Sequence, residues 1–318
     1  MEQNTPYPPL MRGPLKMRGV FGLSWQLYKR GFWPMFWFTL LVVGVISLIL
    51  MLGQMNMLEN IDATGMVPYG DFAGGADSAR AAASMMQTMS ISWLLSLAYT
   101  FLVMPAYLGA TFLEMDQRMD GRVGTFGQLF RYALPIGFKR FYTTFLSMLL
   151  VYILFATVFG FVMVGILIAV AFSSAASGMP VSSNLALVGV SVIMMLLLVI
   201  LCLVFMVLIY PAAAHEGKRA FKAVGRGMKL SFKRFGRLSA AMVLYMLFVI
   251  VSEVLLTLPW MFSLENSTTA MLIAFIGLTL WSVFMAPYFS AFCTALYVDA
   301  AARVPDVPPE ASAQPQAS

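Results

Sequence analysis

The feature that most constrains this chain is a series of long apolar runs separated by short polar segments. A bilayer core is about 30 Å thick, so a helix needs roughly 20 apolar residues to cross it. Only 11% of the residues are charged, whereas soluble domains hold about 25%. The sequence therefore predicts an all-α polytopic membrane protein with six transmembrane helices, numbered here as spans 1 to 6, at about residues 32–52, 91–113, 142–172, 187–214, 238–260 and 271–298.

The distribution of lysine and arginine predicts the orientation of these spans. Of the 20 Lys and Arg residues, only Arg80 falls on the side opposite to the others. Cytoplasmic loops are enriched in these residues, so we expect both termini of this multi-pass protein on the cytoplasmic side of the cell membrane. The composition of residues 1–18 and 304–318 predicts disordered cytoplasmic ends around a membrane domain at 19–303.

An approximate threefold pattern runs through the membrane domain. Basic segments with helically spaced aromatic residues begin near residues 21, 126 and 221, each before an odd-numbered span. We therefore predict three hairpins, each preceded by a cytoplasmic amphipathic interfacial helix. The inner half of each even-numbered span carries a proline, which predicts a shared helix kink or a broken helix of the kind found in transporters: Pro105, Pro211 and Pro287.

The third interfacial segment shows the amphipathic pattern most clearly. Its apolar residues, three or four positions apart, form one stripe: Phe221, Val224, Met228, Phe232 and Phe235. Its basic residues are candidates for contact with lipid headgroups, as in helices that lie at the surface of an anionic leaflet: Lys218, Arg219, Lys222, Arg226, Lys229, Lys233 and Arg237. The alternative is that these charges only set the topology.

Three short motifs resemble a known bacterial family. After the span that ends in Pro211, residues 216–224 read EGKRAFKAV and residues 230–235 read LSFKRF; residues 25–33 read WQLYKRGFW, and residues 296–299 read LYVD. These motifs resemble the membrane domain attached to some glycerophosphodiester phosphodiesterases, and the related stand-alone six-helix membrane proteins. The resemblance covers about residues 20–303 and implies a six-helix membrane domain. It does not imply hydrolase activity, because the phosphodiesterase domain has no counterpart in this chain.

Few ionisable residues suggest a functional site. Glu253 lies well inside span 5, and a carboxyl at membrane depth is costly, which makes it a candidate for a functional path. The alternative is that Glu253 is a structural carboxyl, hydrogen-bonded to a neighbouring hydroxyl or to water at the outer interface. Glu216, next to His215, is expected to favour the positive N-terminal end of the basic helix. Asp299 is expected to pair with Arg303.

The sequence lacks the patterns of several function classes. His215 is the single histidine, and Cys202 and Cys293 lie in apolar runs, so no metal-ligand cluster is visible. Nucleotide-binding loops and nucleophile elbows are also missing from the sequence. We therefore expect no enzymatic activity, no cofactor, no metal site and no nucleic-acid partner.

The leading hypothesis is a non-enzymatic integral membrane protein that contacts anionic lipid at its cytoplasmic face. It would act in membrane or envelope homeostasis, as a scaffold for a membrane or cytoplasmic protein partner. The alternative is a transporter or export permease for a lipid or small hydrophobic molecule. A membrane-embedded enzyme of lipid metabolism is a third hypothesis. A polar cavity near Glu253 would favour transport, and a closed bundle ringed by basic helices would favour the scaffold.

Overall fold

The computed structural model describes residues 7–49, 94–177, 203–261 and 268–304, and within these ranges all regular structure is helical. Of predicted span 4, the described part forms a shorter apolar helix, Leu203–His215, and residues 187–202 lie outside the described residues. Five helices are long and apolar enough to cross a bilayer: Phe32–Ile49, Leu94–Met119, Phe141–Val162, Phe235–Leu258 and Ile273–Arg303. The protein is therefore an all-helical, membrane-embedded, multi-pass protein.

Eight α-helices, numbered along the described part of the chain, position the features discussed below. The first half comprises α1 (Met17–Lys29), α2 (Phe32–Thr39), α3 (Met104–Met119) and α4 (Leu134–Ser177). The second half comprises α5 (Ile209–His215), α6 (Ala220–Lys233), α7 (Phe235–Met261) and α8 (Thr268–Arg303). Wider π-helical turns follow α2 and precede α3 and α4, at Leu40–Gly44, Tyr99–Val103 and Leu129–Ala133.

Helices α3, α5 and α8, which belong to the even-numbered spans, contact one another in the core. The Phe112 ring of α3 stacks on the Tyr210 ring of α5, with 5.7 Å between centroids. The Ser290 hydroxyl of α8 donates to the Thr111 hydroxyl of α3 at 3.3 Å. These three helices thus meet in one packed centre.

Each predicted interfacial segment packs against a helix of an even-numbered span, that is, against α3, α5 or α8. Helix α1 contacts α8, the start of α4 with its preceding turn contacts α3, and α6 contacts α5. Small residues permit two of these crossings. A Cβ atom on Gly109 would lie 2.7 Å from the Gly137 Cα, and a Cβ atom on Gly227 would lie 2.9 Å from the Ile209 Cα. The backbones therefore approach more closely than side chains at these glycines would allow.

Residues 7–16 belong to the N-terminus that the composition predicts to be disordered. The Leu15 N–H donates to the Asp299 Oδ1 atom at 2.7 Å, and Arg12 pairs with Asp120 at 2.8 Å. Carboxylates of the bundle thus bind this segment, and disorder of residues 1–18 stays a prediction. The predicted C-terminal tail lies, from residue 305 onward, outside the described residues.

Two of the three prolines lie next to an interruption of the helix. Pro105 is in the first turn of α3, directly after a π-helical turn. Pro211 lies in α5, just after a turn at residues 207–208. Such interruptions accommodate a residue that cannot donate a backbone hydrogen bond. Pro287 lies inside α8, which stays helical throughout, and a kink there stays a prediction.

Candidate functional site

Helix α6 packs one face against the bundle. The Ser231 hydroxyl of this face donates to the Val204 carbonyl at 2.9 Å, and Gly227 lets α6 approach α5. The buried residues of the helix share this face: Ala223, Val224, Arg226, Gly227, Leu230 and Ser231. The face is rich in small residues, and the phenylalanine side chains of α6 are not among its buried residues.

The opposite face of α6 carries exposed aromatic rings beside exposed lysines. Phe221 and Phe232 are both 63% exposed, and at about 100° per residue they lie on the same arc of the helix. The lysines on the adjoining arc are exposed as well: Lys222, Lys229 and Lys233. Much of the apolar stripe predicted from the sequence is therefore exposed, although Val224 is buried and the Phe232 ring also packs on Phe205, with 4.5 Å between centroids.

The seven basic residues proposed as headgroup contacts fall into two groups. Four are exposed: Arg219, Lys222, Lys229 and Lys233. The other three are engaged with carboxylates. Lys218 and Arg226 pair with Glu216, and Arg237 pairs with Asp299 at 2.8 Å. The structure thus leaves the exposed group as the positive surface of this segment.

Glu216 binds side chains around it rather than the start of the basic helix. Its Oε1 atom accepts from the Arg226 Nε at 2.9 Å and from the Tyr297 hydroxyl, and Lys218 pairs with Oε2. Helix α6 begins only at Ala220, so the predicted role at its N-terminus is replaced by this cluster. Burial alone would raise the pKa of Glu216, but the hydrogen bonds from Lys218, Tyr297 and Arg226 lower it below its ordinary value of 4.5.

Asp299 of α8 joins three parts of the chain. Its predicted pair with Arg303 is present, with 2.9 Å between Nε and Oδ1, and Arg237 at the start of α7 binds the other oxygen. The Leu15 N–H donates to the same carboxylate. In return the Leu15 carbonyl accepts from Arg303 at 2.7 Å and from Arg237. This network connects the segment before α1 to the start of α7 and the end of α8.

A buried ion pair on α3 was not singled out from the sequence. Arg118 is fully buried and its Nε donates to the Glu114 Oε1 at 2.9 Å. Its two Nη atoms donate to the carbonyls of Leu27 and Gly31 at 3.0 and 2.8 Å. These carbonyls lie at and just after the C-terminal end of α1, where helix carbonyls lack intrahelical partners. The four-residue spacing of Glu114 and Arg118 was the available sequence signal.

The even-numbered spans share one feature at their C-terminal ends. Each ends at or just before a carboxylate that binds an arginine: Glu114 with Arg118, Glu216 with Arg226, and Asp299 with Arg237 and Arg303. These pairs connect the helices at this end of the bundle, and each carboxylate among them is balanced by an arginine. The exposed positive charge of α6 is therefore not offset by these carboxylates.

Glu253, the candidate for an intramembrane path, lies apart from these clusters. It is exposed on α7, and its backbone carbonyl accepts a hydrogen bond from the Thr257 hydroxyl at 3.0 Å. Among the described residues, the structure does not bring it together with another predicted site residue.

His215 ends α5 inside the core. Its Nδ1 atom pairs with Asp116, and its ring stacks on Tyr297 with 5.4 Å between centroids. In the described ranges, no group of three His, Cys, Asp or Glu side chains is arranged to hold a metal ion. Cys293 is a free, buried thiol, and Cys202 lies outside those ranges.

No protein-family model, curated protein or solved structure matches this chain. The resemblance to the phosphodiesterase-associated membrane domain therefore stays a prediction. Inference about function depends on the residues and geometry of the chain itself.

Proposed function

We propose that this protein is a non-enzymatic component of the cell membrane that binds anionic lipid headgroups at its cytoplasmic face. In this proposal six transmembrane helices form three hairpins, and both termini are cytoplasmic. The five long apolar helices and the one-sided distribution of Lys and Arg support this arrangement. The same rigid inner face would serve as a scaffold for a protein partner in membrane or envelope homeostasis.

The observation that carries the proposal is the exposed face of α6. Phe221 and Phe232 are exposed where a soluble protein would bury them, and Lys222, Lys229 and Lys233 lie beside them. A helix at the headgroup level places its apolar side chains at the acyl boundary and its lysines among the phosphates. Because the opposite face is packed on α5, the bundle holds α6 in this position.

The expected strength of this contact follows from its charges. Each basic residue near an anionic leaflet contributes about 1 kcal/mol. Three lysines together therefore give up to about 3 kcal/mol, which is roughly a hundredfold preference over a neutral lipid. The preference should weaken as salt rises, because the lysines are exposed to solvent.

Spin-labelled lipids test the proposal directly. The purified protein is placed in mixed bilayers, and electron paramagnetic resonance measures how strongly it immobilises spin-labelled phosphatidylglycerol relative to phosphatidylcholine. We expect a preference for phosphatidylglycerol that falls sharply in the triple variant Lys222→Gln, Lys229→Gln, Lys233→Gln.

A matched control separates the α6 contact from net charge. The triple variant Lys16→Gln, Arg18→Gln, Lys139→Gln also removes three exposed charges predicted to lie on the same side of the membrane. It should keep most of the preference. Equal losses in the two triple variants, or no loss in the first, would show that the charges of α6 set topology only.

The alternative of a transporter requires a polar path through the bundle, with Glu253 as its candidate. The structure places that residue on an exposed face of α7. The described residues therefore favour the lipid-binding scaffold over a path through Glu253.

A further inference from the structure

A groove of about 850 Å³ opens between α1 and α2 on one side and α7 and α8 on the other. Its walls are almost entirely apolar and consist mainly of large rings, including Trp25, Tyr28, Phe32, Tyr245, Trp281 and Phe284. An apolar concavity of this size lies within the range of about 300–1,000 Å³ that is typical of small-molecule sites.

The groove runs along the length of α8. Phe21 lies against Phe292 and Phe32 lies against Phe284, with 5.4 and 5.7 Å between ring centroids. Helices α1 and α2 are therefore antiparallel to α8, and the groove follows them. Its deeper walls belong to three helices that are long and apolar enough to cross a bilayer. Any occupant of the deep part lies at the level of the hydrocarbon.

A cation lies on the wall of the groove. Lys29 lines the groove, is exposed, and holds its Nζ atom 4.9 Å from the centre of the Trp25 ring. It lies just before the apolar run that begins at Phe32. The neighbouring Tyr28 phenol, whose pKa burial raises to about 12, adds no negative charge.

We propose that this groove binds one anionic phospholipid from the surrounding leaflet. The phosphate of this lipid binds Lys29, and one of its acyl chains lies along the aromatic wall toward Trp281. The proposal joins an apolar groove with a single positive charge on its wall. It does not depend on α6, which contributes no residue to the groove.

The dimensions argue against a helix of a partner protein as the occupant. A helix with its side chains is about 10 Å across, so a volume of 850 Å³ would accommodate only about two turns of it. The walls also carry bulky rings, whereas close helix contacts in membranes favour small residues. A flexible acyl chain is excluded neither by the volume of the groove nor by the bulky rings of its walls.

Quenching of Trp281 fluorescence tests the proposal. The full-length protein is placed in phosphatidylcholine nanodiscs with increasing fractions of brominated phosphatidylglycerol or brominated phosphatidylcholine. The difference between wild type and Trp281→Phe gives the quenching of Trp281 itself. Because one basic residue is involved, we expect half-maximal quenching by phosphatidylglycerol at about fivefold lower mole fraction than by phosphatidylcholine. Lys29→Gln should abolish this preference, and Lys16→Gln, on the same segment outside the groove, should retain it.

A second variant keeps the test independent of the lysine. Met285→Phe narrows the groove and should reduce quenching by phosphatidylglycerol although Lys29 is present. Circular dichroism and gel filtration verify that each variant is folded. Equal quenching by the two lipids in wild type, or equal effects of Lys29→Gln and Lys16→Gln, would overturn the proposal. Absence of quenching in the folded protein would also overturn it, since the groove would then be closed by protein.

The two lipid proposals fail separately. The triple lysine variant of α6 should leave the quenching of Trp281 unchanged, because those lysines do not line the groove. If that variant removes the preference at Trp281, the groove does not select the lipid and this proposal is wrong, whatever the outcome for α6.

Discussion

Removing the Arg118 side chain should destabilise the fold more than removing any exposed arginine. In Arg118→Met, the Glu114 carboxylate loses the guanidinium 2.9 Å away, and the carbonyls of Leu27 and Gly31 lose their side-chain donors. All of this happens in a site without solvent access, since Arg118 is 0% and Glu114 is 2% exposed. The consequence is an unpaired buried charge together with two weakened backbone acceptors.

The magnitude follows from these lost contacts. Breaking a buried ion pair by removing one partner costs about 3–5 kcal/mol. Each buried acceptor left without a donor costs about 1–3 kcal/mol, and this cost overlaps with the first figure. The Gly124 N–H, which donates to Glu114 at 3.1 Å, stays in place and limits the loss. We expect a net decrease of about 3–5 kcal/mol in the free energy of unfolding.

Unfolding by sodium dodecyl sulfate in mixed micelles measures this decrease. Arg122→Met is the matched control, because Arg122 pairs with Asp120 at 3.0 Å but is 46% exposed. An exposed pair contributes at most about 1 kcal/mol. Arg118→Lys keeps the charge but cannot donate to all three oxygens, so its stability should lie between wild type and Arg118→Met.

The double variant Glu114→Gln, Arg118→Met completes the experiment. It removes the unpaired charge, so it should be more stable than Arg118→Met alone. A loss below about 1 kcal/mol in Arg118→Met, or a loss equal to that of Arg122→Met, would refute the structural role assigned to this pair.

Two further predictions concern helix contact and pH. Gly109→Ala places a Cβ atom 2.7 Å from the Gly137 Cα, so it should lower the yield of folded protein in gel filtration. The control is Gly225→Ala, whose Cβ meets no atom within 4 Å. It should raise the free energy of unfolding by about 0.5–1 kcal/mol, because alanine favours a helix more than glycine does. Equal yields of the two variants would contradict the close crossing. Because the folded pKa of Glu216 lies below 4.5, its contribution to stability is present above that pH and is lost as pH falls through the folded pKa. The difference in unfolding free energy between wild type and Glu216→Gln should therefore shrink in acid, and a constant difference would exclude this linkage.

The long helices could be predicted from the sequence because crossing a bilayer depends on local length and apolarity. Two of these helices begin at Phe32 and Phe235 and one ends at Arg303, close to the predicted limits at 32, 238 and 298. The basic segment 220–233 was also predictable, since the spacing of its apolar residues is a local property. The ion pairs formed by that segment could not be predicted. Arg226 is buried against Glu216 whereas Lys222 is exposed, and only the position of neighbouring helices separates them.

The interactions that sequence reasoning missed connect residues far apart in the chain. Arg118 is recognisable as an anchor only when the end of α1 is known to lie beside α3. Likewise, the hydrogen bond from Leu15 to Asp299 joins the two ends of the chain, and such a contact is not visible in the sequence. Hydropathy and periodicity report on single elements, so they identify the helices and leave these connections undetermined.

The packing of α1 on α8 also has a consequence for how the chain is made. The ribosome delivers α1 first, but the helix that covers it emerges after every other described helix, and Leu15 and Asp299 are 284 residues apart. Until then the rings of Phe21 and Tyr28 lack Phe292 and Tyr288 as neighbours. Contacts of such long range form slowly and leave apolar surface uncovered during synthesis. A chain that stalls before α8 therefore presents an unmatched aromatic helix at the membrane surface, where quality-control proteases can recognise the incomplete product.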